Sequence, residues 1–171
     1  LHEAGWEVEC LMAGDVRKLP PDARLNHDIA RRLGIPVAAG VRRSRLTRAD
    51  VVVDALLGTG FRGAPRGAVA QAIEAMRPPI GTVVALDVPS GVDGSTGTIV
   101  GAAVRADVTV CFHGRKLGTA IEPGRSAACR VVVAEIGIPR EADQPTAATL
   151  LSGAETLAAA WPKAVRGSKY T

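Results

Sequence analysis

The sequence predicts a three-layer α/β/α protein built on a doubly wound, mostly parallel sheet, and three observations predict it. Short apolar runs bounded by Gly, Pro and Asp recur along the chain, with helix-patterned segments between them. Two of these runs, 51–57 and 82–86, are almost wholly apolar rather than alternating, as strands buried on both faces are. The composition is 47% hydrophobic but only 3% aromatic, so the core must come from Val, Leu, Ile and Ala. That mixture suits parallel strands covered by Ala-rich helices. At 171 residues the chain is long enough for one domain with a proper core. Strands alternating with helices in this way give a Rossmann-like sheet with right-handed crossovers.

Taken in order, the chain opens on Leu1-His2-Glu3-Ala4-Gly5, which reads as the last turn of a helix with Gly5 as its stop signal. A strand follows at 7–12. A helix end feeding a strand implies an earlier strand and helix start, so the domain is expected to be N-terminally truncated. Further strands are expected at 51–57, 82–86, 108–112 and 130–136, and helices at 22–33 and 67–76. After Pro139 the segment 140–146 is polar and carries another proline, which sets the expected domain at 1–139. Residues 140–171 are expected to be a linker and the start of something further, with one helix near 155–160. There is no internal repeat.

Charge and cysteine content narrow the function. The net charge of +4 comes from 21 Lys+Arg against 17 Asp+Glu, and much of the excess is one run, Arg42, Arg43, Arg45 and Arg48. With so few aromatics to stack on bases, nucleic-acid binding is not expected, and the run reads as a solvated face that helps to hold a small anion. Cys10, Cys111 and Cys129 are odd in number and widely spaced. Cys111 and Cys129 lie in apolar runs, so buried free thiols in a reducing, cytoplasmic compartment are expected. His2, His27 and His113 lack zinc-ligand spacing. No apolar run approaches the ~20 residues needed to cross a bilayer, and no signal peptide is visible.

In such a fold the ligand sits at the carboxyl ends of the strands, and three strand ends carry chemistry. The first is Asp54-Ala-Leu-Leu-Gly58-Thr59-Gly60-Phe61-Arg62-Gly63-Ala64. Its glycines allow close approach to a ligand, and successive N–H groups in such a loop bind phosphate, to which Arg62 adds a cationic fork. Gly58, Gly60 and Gly63 also match the dinucleotide fingerprint, and Asp87 follows at the next strand end at about its usual distance (~20 residues). A dehydrogenase domain is therefore an alternative. Against it, Ala64-Pro65-Arg66-Gly67 lengthens the loop before any helix can start. The second strand end is Leu86-Asp87-Val88-Pro89-Ser90-Gly91-Val92-Asp93. Asp87 closes an apolar strand at the site mouth, where it serves either as a proton-transfer group or as the cap of the following turn. The third, Ala106-Asp107-Val-Thr109-Val-Cys111-Phe112-His113-Gly-Arg115-Lys116-Leu-Gly118, ends in cations, which are either surface charge or partners for an anion.

Together and in this order, the three motifs resemble the NAD(P)H-hydrate epimerase family (the YjeF amino-terminal domain). The resemblance covers roughly 1–139, and Val131-Val-Val-Ala-Glu-Ile136-Gly-Ile-Pro139 fits the family's last strand. It implies epimerisation of the R and S forms of hydrated NADH and NADPH, NAD(P)HX, as part of nicotinamide cofactor repair. It also implies one potassium ion per subunit, held at Asp54 and Ser90. The loop of Gly58, Thr59, Gly60, Phe61, Arg62, Gly63 and Ala64 would wrap the substrate's phosphates. Asp87 would be the substrate-contacting catalytic carboxylate and Lys116 a second catalytic residue. The family's first strand and its Asn/Gly-rich phosphate loop would precede Leu1, so the 171-residue chain alone is expected to have little activity. The tail from Trp161 resembles the entry to an ADP-dependent hydrate dehydratase domain, which implies a bifunctional parent. A homo-oligomer is a further expectation from the family. A non-catalytic nucleotide- or partner-binding module remains a third alternative.

Overall fold

The computed structural model describes residues 1–139 and 141. The chain divides after Ile138 into two units. The second, from Pro139 onward, falls almost wholly outside the described residues, as do the expected linker and the helix near 155–160.

Two parallel sheets form, flanked by helices, so the α/β class follows the sequence. The first pairs β1 (Cys10–Met12) with β2 (Val37–Ala39). The second is four-stranded in the order β3-β4-β5-β6, with β3 at Val51–Asp54, β4 at Thr82–Leu86, β5 at Val108–Phe112 and β6 at Arg130–Ala134. The helices are α1 (Pro21–Arg32), α2 (Arg43–Leu46), α3 (Gly67–Ala75) and α4 (Gly124–Ala128). At the chain start His2–Ala4 makes a 3-10 turn, and Gly5 closes it at φ 84 with its N–H on the His2 carbonyl.

Among the described residues the strands fall in these two sheets, and β1, β2, α2 and α4 are all short. β1 keeps only the last three residues of its expected run, held by Cys10 N–H to Pro36 O at 2.8 Å and Gly40 N–H to Met12 O at 2.8 Å. β2 is three residues, two of them Ala, and too short to leave a periodic signal. α2 and α4 are four and five residues long, below the length at which helical periodicity shows. β3 stops at Asp54 rather than residue 57, because the Leu56 and Leu57 N–H groups leave the ladder for side-chain acceptors.

The core lies on one face of the four-stranded sheet. Val52, Val83 and Ala85 meet Ile73 and Met76 from α3 and its end, Leu46 of α2, and Val104 and Ala106. Burying each large aliphatic side chain there stabilises the fold by about 1.5–3 kcal/mol. β3 alternates sharply, with Val52 and Asp54 buried while Val51 and Val53 are 40% and 38% exposed. A second cluster packs Val88 and Val92 of the loop between β4 and β5 against Ala127 of α4.

The basic run is partly structural rather than a solvated face. The Arg43 guanidinium donates to the carbonyls of Ala75, Arg77 and Pro79, which gathers the C-terminal end of α3, and Arg45 pairs with Glu9 just before β1. Among the cysteines, all free, Cys111 is fully buried, but Cys129 is exposed, contrary to the expectation from its apolar neighbours. It occupies the turn from α4 into β6 at φ 51, where the chain reverses at the surface. Among the described residues no helix is long and apolar enough to cross a membrane.

Candidate active site at three strand ends

β3, β4 and β5 are parallel neighbours, so their carboxyl ends, and the three motifs, stand side by side. At the end of β3 the Asp54 side chain is 1% exposed. Its Oδ2 accepts the Ser90 N–H at 2.8 Å, and its Oδ1 accepts the Ser90 hydroxyl at 2.6 Å and the Leu56 N–H at 3.3 Å. The Ser90 Oγ in turn accepts the Leu57 N–H at 2.9 Å. Burial pushes the Asp54 carboxyl above the usual carboxylate range, and only hydrogen bonds from Ser90 and Leu56 oppose it.

Lone-pair counting tests whether this pair suits an alkali cation. A carboxylate offers about four lone-pair sites, of which three are used, and a hydroxyl oxygen two, of which one is used. One acceptor site on each residue is left, both hard oxygens beside a buried negative charge, which fits a potassium ion. Among the described residues no group of three or more His, Cys, Asp or Glu stands together in the manner of a transition-metal site.

Asp87 follows β4, at the mouth of the site. Its backbone is left-handed at φ 68, and the Val88 N–H bridges over it to the Leu86 carbonyl at 2.8 Å, a γ-turn of the strained positive-φ kind. The next strand ends the same way: His113 has φ 63, spanned by Gly114 N–H to Phe112 O at 2.7 Å. Such non-glycine conformations cost on the order of 1–3 kcal/mol each and cluster at functional sites. The Asp87 carboxylate reaches across to β5 rather than into its own turn. Its Oδ1 accepts the Phe112 N–H at 3.1 Å and meets Lys116 Nζ at 2.5 Å. Lys116 also donates to the carbonyls of Phe112 at 2.7 Å and Gly114 at 3.1 Å, so its three protons are all directed. Neither the Phe112 N–H nor the Lys116 contact with Asp87 involves Oδ2. The buried Cys111 thiol donates to the Asp87 carbonyl at 3.2 Å and fixes that backbone from below.

The Gly-rich loop leaves β3 beside this pair. Phe61 N–H closes a turn on the Gly58 carbonyl at 3.1 Å, and Gly63 takes φ 85. A Cβ built on Gly58, Gly60 or Gly63 would meet nothing within 4 Å, so these glycines face open space rather than protein. α3 starts only at Gly67, so the loop is longer than the dinucleotide fingerprint allows.

Residues 1–118 match the family described as YjeF-related protein N-terminus. The chain belongs to this family. It is 40% identical over 144 residues to a protein of Hyperthermus butylicus named bifunctional NAD(P)H-hydrate repair enzyme Nnr, covering 81% of this chain and 26% of that protein. A protein of the same name from Moorella thermoacetica is 37% identical over 168 residues, 94% of this chain and 31% of its own length. The NAD(P)H-hydrate epimerase of Limosilactobacillus reuteri is 38% identical over 134 residues, 78% of this chain and 62% of that enzyme. The chain thus spans less than two thirds of each of these relatives.

Within this YjeF-related domain the structure brings together Asp54 with Ser90 and Asp87 with Lys116, with the 58–64 loop alongside. The Arg62 head group, expected to add a fork to the phosphate loop, is engaged within the protein. Arg62 donates to the Thr59 and Phe61 carbonyls at 2.7 and 2.8 Å and to Ser95 Oγ at 3.0 Å, and its Nε lies 3.2 Å from Asp93 Oδ2. Nothing in the spacing of Asp93 points to Arg62. Asp107 of the third motif is structural: its Oδ2 accepts the Val83 N–H at 2.7 Å and ties β5 to the start of β4.

Proposed function

We propose that this domain epimerises the R and S forms of NAD(P)HX, with Asp87 and Lys116 as its catalytic pair. The observation that carries the reading is the Asp87–Lys116 pair at the end of β4, one strand from an open Gly-rich loop. The names of the relatives, NAD(P)H-hydrate epimerase and bifunctional NAD(P)H-hydrate repair enzyme, support the choice of reaction. In the hydrate, C6 carries both a hydroxyl and the ring nitrogen. Inverting it requires one of those bonds to break and re-form on the opposite face. Asp87 Oδ2 takes the hydroxyl proton as the C6–N1 bond opens, so that C6 becomes an aldehyde and the electron pair passes to N1. After rotation about C5–C6, N1 re-adds to the other face and Asp87 returns the proton, so no electrons are gained or lost. Lys116 holds the carboxylate in place and balances its charge. The N–H groups of the 58–64 loop hold the pyrophosphate.

Potassium at Asp54 and Ser90 belongs to this reading; bound there, it would supply a fixed positive charge under the loop. Asp54→Ala is expected to weaken substrate binding and to abolish any rise in melting temperature on replacing sodium by potassium. A potassium-dependent shift that survives in this variant excludes the assignment. The bifunctional relatives support a dehydratase domain in the same parent chain, and the reading includes a homo-oligomer in the cytoplasm.

The test is to follow R-NADPHX by chiral chromatography with the full-length protein. Conversion to the S form without net redox change is the expected result. Reduction or oxidation of nicotinamide would instead favour the dehydrogenase reading raised by Gly58, Gly60 and Gly63, and binding without turnover a non-catalytic module.

A further inference from the structure

The Gly-rich loop holds three glycines within six residues, and a chain so free to move binds weakly unless something fixes its shape beforehand. No glycine of the loop is packed against protein, so the shape is not imposed by close contact there. Beside the turn of Phe61 N–H on the Gly58 carbonyl, Arg62 makes the contacts that gather the loop. Two of its contacts fold back onto carbonyls of its own loop, Thr59 and Phe61, while two reach outward to Ser95 and Asp93. A guanidinium has five N–H donors in a rigid fork. Turning this one toward a bound phosphate would release the loop carbonyls that it now gathers.

The far end of the contact is itself anchored. Asp93 Oδ1 accepts the N–H groups of Ser95 at 2.8 Å and Thr96 at 3.0 Å, which leaves Oδ2 for Arg62. The Asp93 side chain is 16% exposed, against 54% for Arg62. The turn that it begins is held on its other side, because Gly118 N–H donates to Gly94 O at 2.8 Å and Gly124 N–H to Gly97 O at 2.9 Å. It also lies close to the loop, since a Cβ added to Gly94 would stand 3.4 Å from Thr59 Cγ2. The turn at 93–98 is thus wedged between the Gly-rich loop and the segment that carries Lys116.

We propose that Arg62 and Asp93 are a positioning pair: their contact fixes the Gly-rich loop in its binding shape from outside, and the Arg62 head group does not itself grip phosphate. The affinity part rests on the nucleotide-binding reading above; the structural part does not. In the full-length protein, Arg62→Gln, Asp93→Asn and the double variant test it. Asn keeps the acceptor oxygen that shapes the turn and removes only the charge, so folding is preserved.

Amide hydrogen exchange is expected to quicken about tenfold at 58–64 in both single variants and to stay unchanged in β4 and β5. The Kd for NADP+, a probe that shares the substrate's pyrophosphate, and the KM for NADPHX are each expected to rise by roughly tenfold, with kcat within about twofold of wild type. The double variant is expected to be no worse than either single one, as for two residues acting through one contact. Loss of affinity in Arg62→Gln alone, with Asp93→Asn at wild-type affinity and exchange, would show that Arg62 is a direct phosphate ligand and overturn the proposal. Unchanged exchange in both single variants also overturns it. A wild-type protein that neither binds NADP+ nor turns over NADPHX refutes the functional reading, and the exchange measurement still decides the pairing.

Discussion

Asp87→Asn is expected to lower kcat for NADPHX epimerisation by about 10²–10⁴-fold, the usual contribution of a positioned proton-transfer group, or on the order of 3–5 kcal/mol of barrier. The substitution keeps an oxygen at Oδ1, so the bonds from the Phe112 N–H and Lys116 survive, and the backbone turn is unchanged. What is lost is the ability to take and return a proton near neutral pH. Affinity for substrate and melting temperature are therefore expected to stay close to wild type. If Asp87 were only a structural brace, the pattern would reverse, with stability lower by ~1 kcal/mol and kcat little altered. A dehydrogenase-type role would weaken cofactor binding above all. Measuring kcat, Kd and melting temperature on this one variant separates the three, and an unchanged kcat rules out Asp87 as the catalytic group.

The second large effect is on stability. Gly118→Ala places a methyl group where nothing can yield: its Cβ would stand 2.1 Å from the Asp93 carbonyl oxygen and 2.9 Å from both the Gly94 carbonyl carbon and the Gly97 nitrogen. All three are backbone atoms of a turn held by its own hydrogen bonds, including Gly118 N–H to Gly94 O. Relief requires the turn at 93–98 and the segment after Lys116 to part. The expected cost is about 2–3 kcal/mol or more, a fall in melting temperature of roughly 5–10 °C for a chain of this size. Gly14→Ala, whose added methyl meets nothing within 4 Å, is the control and is expected to shift it little. Equal melting temperatures for the two variants would refute the packing argument.

The parts of the fold that were legible in the sequence are those with strong local signals. β4 and β5 fall on the residues expected, because each is a five-residue apolar run bounded by turn formers. α1 and α3 differ from expectation by a residue or so at their ends. β2, α2 and α4 were not legible because each is too short for a period to repeat. The same division holds for the site. Asp54, Asp87 and the Gly-rich loop announce themselves through position at strand ends, and Lys116 through the motif order. The contact of Arg62 with Asp93 joins residues 31 apart in sequence through a turn whose shape only the tertiary structure fixes. The Cys129 misreading has a similar origin: apolar neighbours say nothing about which way a left-handed turn residue faces.

Burial is unevenly spread along the chain, and so is resistance to opening. No residue among 1–45 is buried; the first is Leu46, and α1 with its capping residue leaves Leu25, Ile29 and Leu33 at 59%, 42% and 50% exposure. The two-stranded sheet lies wholly in that stretch, while every strand that carries the candidate site lies beyond it. Within these 171 residues alone, a segment so lightly held has a free energy of local opening well below that of the four-stranded core. Its amides would exchange with solvent, and its backbone would admit a protease, while Asp54, Asp87 and Lys116 stay assembled. In cooperative terms the candidate site stands on the more persistent of these two stretches and helix α1 on the more fugitive one.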